Sequence, residues 1–358
     1  MRLQDTTHHL ARLSAVAAAA SLLAAGLAIA GERDRGVLVL TSTNDPGANR
    51  VLAFQLETGA APALSLVQTL PTGGRGGAGG NAGILQMRGD SGAVANYGSD
   101  SVSELVREGD FMRVRGQIKL ASGCSKPDSV ALTDGQLFVA GANCVESRAW
   151  PSGLPDGSVV HLSDASAAQV AVGRTWGAVT FTSGKLVQLG LTRWGALSGS
   201  MTSVALPANA NDTPLGAAFW RDTLGFTPAH SPDSFAIVDA QRNVHPVVGP
   251  TPPYPANAPC WVAKGPGNVW YTGNSPGHAI SIFFSDGKGG VFYKSVPLPG
   301  VPTDITVSKD RKWVAVIYSA NDSGYVAVFS IDAYGDLAPE ATSGPVGVPA
   351  FNGVAISE

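Results

Sequence analysis

Apolar positions along this chain come in short bursts broken by turn formers, and one stretch shows the unit clearly. In "PTDITVSKDRKWVAVIYSANDSGYVAVFSIDAYGDL", residues 302–337, the runs 304–307, 313–318 and 325–331 alternate or are β-branched. Lys309-Asp310, Asn321-Asp322-Ser323-Gly324 and Tyr334-Gly335-Asp336 separate them. Asp, Asn and Gly favour turns through local side-chain hydrogen bonds or positive φ, so the pattern predicts three strands joined by tight turns, with a fourth to follow.

Weaker copies of the unit recur. Their predicted first strands are "GILQM" from Gly83, "DSVALT" from Asp128, "GAVTFT" from Gly177 and "GAAFW" from Gly216. "CWVAK" from Cys260, "DITVS" from Asp304 and "GVAIS" from Gly353 complete the series, with steps of 39 to 49 residues. Units of four short strands at this period are the signature of a propeller blade. The two ends of the chain complement each other. The last unit keeps only its first strand, whereas the segment beginning at Gly36 has the other three and lacks the first. The expectation is an all-β, seven-bladed β-propeller over residues 31–358, its first blade closed by the C-terminal strand. Closure satisfies two strand edges that would otherwise recruit other chains, so a monomer is expected.

Residues 1–30 are a separate object. Arg2 and Arg12 precede the uncharged run 13–30, which ends in Ala28-Ile29-Ala30 with Gly31 next. This reads as a signal peptide, placing the mature chain in the periplasm or outside the cell. Only 14% of the residues are charged and the net charge is −3. Nucleic acid, which needs a dense basic surface, is not an expected partner, and no membrane segment remains after cleavage.

Three cysteines refine the picture. A hairpin turning at Asp134-Gly135 sets Cys124 almost opposite Cys144, and in an exported protein that pair is expected to form a disulfide. Cys260 is expected to be a buried small residue.

Residues 72–83, "TGGRGGAGGNAG", contain a literal G-x-G-x-x-G at Gly74, Gly76 and Gly79. A dinucleotide-binding turn needs a strand before it and a helix after it; here a strand precedes and another strand follows, so no nucleotide site is expected. Two readings stand for this loop. It is either an anion cradle of backbone N–H groups with Arg75 as a carboxylate fork, or a connector whose glycines meet local backbone demands.

The blade at 302–337, "APCWVAKGPGNVWYTGNSPGHAISIF" at 258–283 and "PTGGRGGAGG" at 71–80 resemble the lactonase-type seven-bladed propellers. These are the 6-phosphogluconolactonase-like proteins, also labelled 3-carboxymuconate cyclase. The resemblance covers roughly residues 36–357. It implies opening or closing of a lactone ring in a small anionic substrate at the channel mouth, with no cofactor. The family's catalytic His, Glu and Arg find no matching motifs, so the catalytic residues are unassigned.

The starts of first strands and the loops leading into them supply candidate ligand-binding residues: Arg75, Asn81, Arg174, Trp176, Trp261 and Asp304, with Arg221 in "FWRDTLGF". Lys126, Asp128, Asn257, Thr303, Asn352, Trp220 and Asp222 lie in the same neighbourhoods. Arg75 and Arg174 are the expected clamps for a carboxylate or phosphate. Trp176 and Trp261 either stack on a ligand or pack between blades. No metal is expected, because none of His161, His230, His245 and His278 has a partner ligand two or four residues on. The competing function is a non-catalytic propeller that binds a small molecule or a protein partner.

Overall fold

In the computed structural model, residues 35–230, 234–248, 258–347 and 351–358 are described. The leader expected over residues 1–30, and Asn257, lie outside them. Residues Val37–Glu358 form seven four-stranded antiparallel sheets. There is no α-helix among the described residues, and no helix there is long and apolar enough to cross a membrane.

Blade 1 is built as the complementary ends predict. The C-terminal strand Asn352–Ser357 pairs antiparallel with Val37–Ser42, setting Val39 opposite Ile356 and Thr41 opposite Val354. The inner strands of blades 2 to 7 are Leu85–Arg88, Pro127–Leu132, Ala167–Val172, Pro214–Trp220, Pro259–Lys264 and Val301–Val307. Second strands such as Gln136–Gly141, Trp176–Phe181 and Val269–Asn274 are buried along their whole length. Both faces of a blade pack on neighbouring blades, so these strands read as continuous apolar runs rather than alternating ones. Outer strands are wetter, as in Phe111–Lys119, where Arg113, Arg115 and Lys119 decorate the rim.

One strand departs from the expectation. "GAVTFT" is not the inner strand of blade 4; it lies in the second strand, Trp176–Phe181, and the inner strand is "AAQVAV". Alanine has poor β propensity, so this run reads weakly as a strand. Near the crowded axis its small side chains are what fits. The preceding outer strand, Val160–His161, is only two residues long, which shortens the interval between blades.

The expected disulfide is present. Val130 faces Val139 in the hairpin turning at Asp134-Gly135, and Cys124 is bonded to Cys144 with the Cα atoms 5.6 Å apart. The bridge closes a segment of 20 residues. Its removal as Cys124→Ser/Cys144→Ser is expected to lower the unfolding free energy by about 3 kcal/mol, read as a lower urea midpoint. Cys260 is a free thiol, half-buried, and burial pushes it up to about 11.

Six of the seven inner strands carry a register irregularity at the same level, close to their first residue. These lie between Pro127 and Ser129, Ala167 and Gln169, Pro214 and Ala217, Pro259 and Trp261, Pro302 and Asp304, and at Gly353 in blade 1. Three of these strands begin with proline and a fourth has it second, at Pro302; proline has no N–H to donate to a ladder and is tolerated at the start of a strand. A bulge inserts an unpaired residue and bends its strand. Repeated around the ring, it makes a collar at the connector end of the channel.

Candidate functional site

The connector loop at residues 72–83 is resolved by where its N–H groups go. Gly74 donates to Thr72 Oγ1 at 3.2 Å, Arg75 to Ser99 Oγ at 3.0 Å and Gly76 to the Asp45 carbonyl at 2.7 Å. Gly77 and Ala78 donate to Asn44 Oδ1 at 2.9 and 3.0 Å. Five consecutive amides are thus spent inside the protein, and the loop stitches blade 1 to blade 2. The Arg75 guanidinium donates to the Gly98 carbonyl at 2.6 Å. Glycine at 76 answers a close approach, because a Cβ there would lie 2.3 Å from the Asn44 backbone carbon. Gly76→Ala is expected to cost about 1–3 kcal/mol through the resulting backbone shift, measured by urea denaturation.

The central channel encloses about 670 Å³. Its connector end is filled by side chains reaching across the axis. Trp261 of blade 6 donates from Nε1 to the Asn81 carbonyl beside blade 2 at 3.3 Å. In a ring of seven these blades are as far apart as two blades can be. Asn81 is buried; its amide donates to the Asp128 carbonyl while its Oδ1 accepts from Asn352 Nδ2. Gln169 of blade 4 accepts from the Ala217 amide at 2.6 Å, and its Nε2 lies against Gly83.

Asp304 completes the collar and faces the cavity. Its carboxylate accepts from the Ile305 amide at 2.8 Å, and the amides of Val354 and Gly83 also bear on it. Burial pushes its pKa up to about 7 against the opposing pull of these donors. Asp128, also buried, is pushed up to about 7 by desolvation, with Lys126 pulling the other way. Its Oδ1 and the Oδ1 of Asn352 have no hydrogen-bond partner.

The opposite end has a different character. In blade 5 exposure rises towards the turn into the second strand: Ala217 is 3% exposed and Trp220 is 36% exposed. Arg88, Trp220, Lys264, Lys309, Arg311 and Glu358 line the cavity here. Arg88 pairs with Asp134 at 2.8 Å. Lys264 Nζ donates to the carbonyls of Gly265, Gly267 and Val269 at 2.8, 2.7 and 3.1 Å. The Arg311 guanidinium stacks 4.2 Å from the Trp220 ring centroid, and Lys264 Nζ is 5.1 Å from the same ring.

The sequence candidates therefore divide between the two ends. Asn81, Trp261 and Asp304 meet at the collar with Asp128 and Asn352. Arg75 sits on the connector face, as does Lys126, 5.8 Å from the Tyr97 ring. Thr303 is the extra residue between Pro302 and Asp304. Arg174 and Arg221 lie in first turns on the opposite face, joined by an Arg174 N to Arg221 carbonyl bond of 3.2 Å, so Arg174 and Arg75 do not share a mouth. Asp222 accepts from Thr175 N and Oγ1, each at 2.8 Å. Trp176 is fully buried between blades 4 and 5, edge-on to Phe219 at 4.7 Å, with Arg242 over its other side at 4.1 Å. Lys264, Lys309 and Arg311 escaped the sequence reading because charges in first turns look like ordinary solvated loop charges. The recurring proline at inner-strand starts is the signal that could have located the collar.

Comparison with solved structures now adds to this geometry. The chain is similar to the periplasmic gluconolactonase of Pseudomonas aeruginosa, with a TM-score of 0.65 at 14% identity over 90% of this chain and 99% of that one. The chain has a lactonase-type propeller fold. It is also similar to a Bacteroides fragilis protein provisionally described as a 6-phosphogluconolactonase, with a TM-score of 0.60 at 13% identity over 88% and 99%. Virginiamycin B lyase from Staphylococcus aureus matches with a TM-score of 0.55 at 13% identity over 80% and 92%. A hydrolase and a lyase thus share this architecture, and the chemistry has to be argued from the site. No family model and no curated protein matches the chain.

Proposed function

We propose that this protein is an exported lactonase-type hydrolase that opens a small anionic lactone in its central channel. The observation that carries the reading is Asp304, a carboxyl tuned to about 7 at the closed end of a cavity whose other end is cationic. Three residues of strand separate Asp304 from the level of Val307, a reach of roughly 10 Å, so one sugar-acid molecule can touch both ends. Asp304 accepts a proton from a water whose oxygen bonds to the lactone carbonyl carbon. The ring C–O bond then breaks, and Asp304 returns the proton to the departing ring oxygen. The product is a hydroxy acid.

Export is part of this reading. The Cys124–Cys144 bridge fits an oxidising compartment, and Ala28-Ile29-Ala30 fits leader removal. A monomer is proposed on the ground that ring closure removes the need to cover edges.

One observation favours a propeller that binds without turnover. His245 pairs with Asp239 at 3.0 Å and His230 with Thr213 at 2.9 Å, both away from the channel, so they serve no reaction there. A pH-stat assay over sugar and muconate-type lactones, with Asp304→Asn in parallel, decides between the two. Turnover lost in the variant supports the hydrolase; no turnover on any lactone supports the binding propeller.

A further inference from the structure

We infer that the ligand enters this channel from the face opposite the blade connectors, and that Arg311, stacked on Trp220, and Lys309 of the same turn take its carboxylate or phosphate group. The inference deepens the reading above and rests on the channel being the ligand site.

The connector end leaves little passage. Six inner strands carry a register irregularity at this level, and Trp261 of blade 6 reaches Asn81 beside blade 2. Asn81 ties blades 1, 2 and 3 together at that level. The amides of Gly74 to Ala78 in the glycine-rich loop above it are already spent. An anion approaching from this side meets the buried Asp128 and Asp304 carboxyls.

The other end is open and cationic. Arg88, Lys309 and Arg311 come from blades 2 and 7 and line the same cavity; Lys264 of blade 6 lines it too, with burial and then Arg311 lowering its pKa to about 7. Their acidic neighbours are largely engaged. Asp134 is paired with Arg88, and Asp310 with Lys312 at 3.0 Å. Glu358 Oε2 accepts from the Asp310 amide at 3.2 Å while its Oε1 has no partner, and burial and the neighbouring Asp310 raise its pKa, disfavouring its charge. Arg311 donates to the Gly265 carbonyl at 3.1 Å through one nitrogen, leaving the rest of its fork for a planar anion. Trp220 is the exposed aromatic in the cavity wall, and sugar or other ring C–H faces pack well on such a surface. Anionic head groups and an apolar ring face are thus recognised side by side. The partner chemistry is a small cyclic or polyol molecule bearing one anionic group.

The test is calorimetric titration of the purified protein with gluconate, glucose 6-phosphate, inorganic phosphate and glucose. Gluconate and glucose 6-phosphate separate the carboxylate and phosphate sources, and glucose is the neutral control. At least one anionic sugar is expected to bind while glucose does not. Arg311→Gln is expected to weaken Kd about tenfold, Lys309→Gln severalfold, and Arg75→Gln less than twofold. Lys309 is exposed in a turn, so its variant keeps the test valid if Arg311→Gln fails to fold. Binding lost in Arg75→Gln but kept in both mouth variants overturns the inference, as does failure of both anionic sugars to bind. Binding with the expected dependence but without turnover on any lactone overturns only the hydrolytic reading.

Discussion

Replacing Arg107 with Met is expected to lower the unfolding free energy by about 3 kcal/mol. Arg107 belongs to the third strand of blade 2, Ser101–Glu108, and its side chain is wholly buried. One guanidinium nitrogen donates to the Ser357 carbonyl at 2.6 Å, and Nε donates to the Gly109 carbonyl at 2.7 Å. Asp110, on the surface, lies 3.8 Å from its guanidinium. The arginine therefore pins the end of the strand that closes blade 1 onto blade 2. Methionine keeps much of the packing volume but leaves two carbonyls without a strong donor in a buried setting, where an unmade bond costs about 1–3 kcal/mol. Blade 1 has no other route to its inner strand, so weakening this pin frees an edge of Val37–Ser42 that can recruit a second chain. The checks are a urea midpoint, faster hydrogen exchange at the Val354 to Ser357 amides, and concentration-dependent association on warming. A loss below 1 kcal/mol with unchanged exchange would show that ladder hydrogen bonds alone hold the ring shut.

The ring itself was legible in the sequence because its evidence is long-range and redundant. Complementary ends fix the number of blades even where single strands are faint. The hairpin at Asp134-Gly135 fixes its own register, and with it the disulfide. What the strand pattern could not supply was the level and direction of each side chain in the channel. Arg75 and Arg174 both flank predicted first strands, yet one connector lies at the start of an inner strand and the turn holding the other lies past its end. Placing "GAVTFT" innermost put the Arg174 turn at the wrong end of its blade. The same uncertainty hid the cationic mouth, since Lys264 and Arg311 have meaning only once three blades bring them around one indole. Asp304 was visible as an acid before a strand, but two of the amides that bear on it belong to Gly83 and Val354, which lie more than 220 residues and 50 residues away in sequence respectively.

Asp304→Asn is expected to separate stability from activity along the pH scale. The folded protein holds the Asp304 proton up to about pH 7, whereas an unfolded chain releases it near the ordinary value of 3.8. Between those values the folded state binds more protons, so stability falls as pH rises. The contribution is fully present below pH 4 and lost as pH passes 7. A displacement of this size corresponds to a few kcal/mol at most, on the order of 1.4 kcal/mol per unit. Asp128 adds a slope of the same sign. The neutral, isosteric asparagine should remove the Asp304 share, giving a shallower decline in urea midpoint from pH 5 to pH 8. Lactone turnover should run the other way. As a proton acceptor Asp304 works only when ionised, so the wild-type rate should rise through pH 7 while the variant loses about 10²- to 10⁴-fold and becomes flat in that range. The pairing is diagnostic, because a carboxyl that merely stitched blades 7, 1 and 2 would change the stability slope and leave the shape of the rate profile intact. An unchanged stability slope in the variant would mean that the amides of Gly83, Ile305 and Val354 keep Asp304 ionised well below neutrality, and the channel would then need another base.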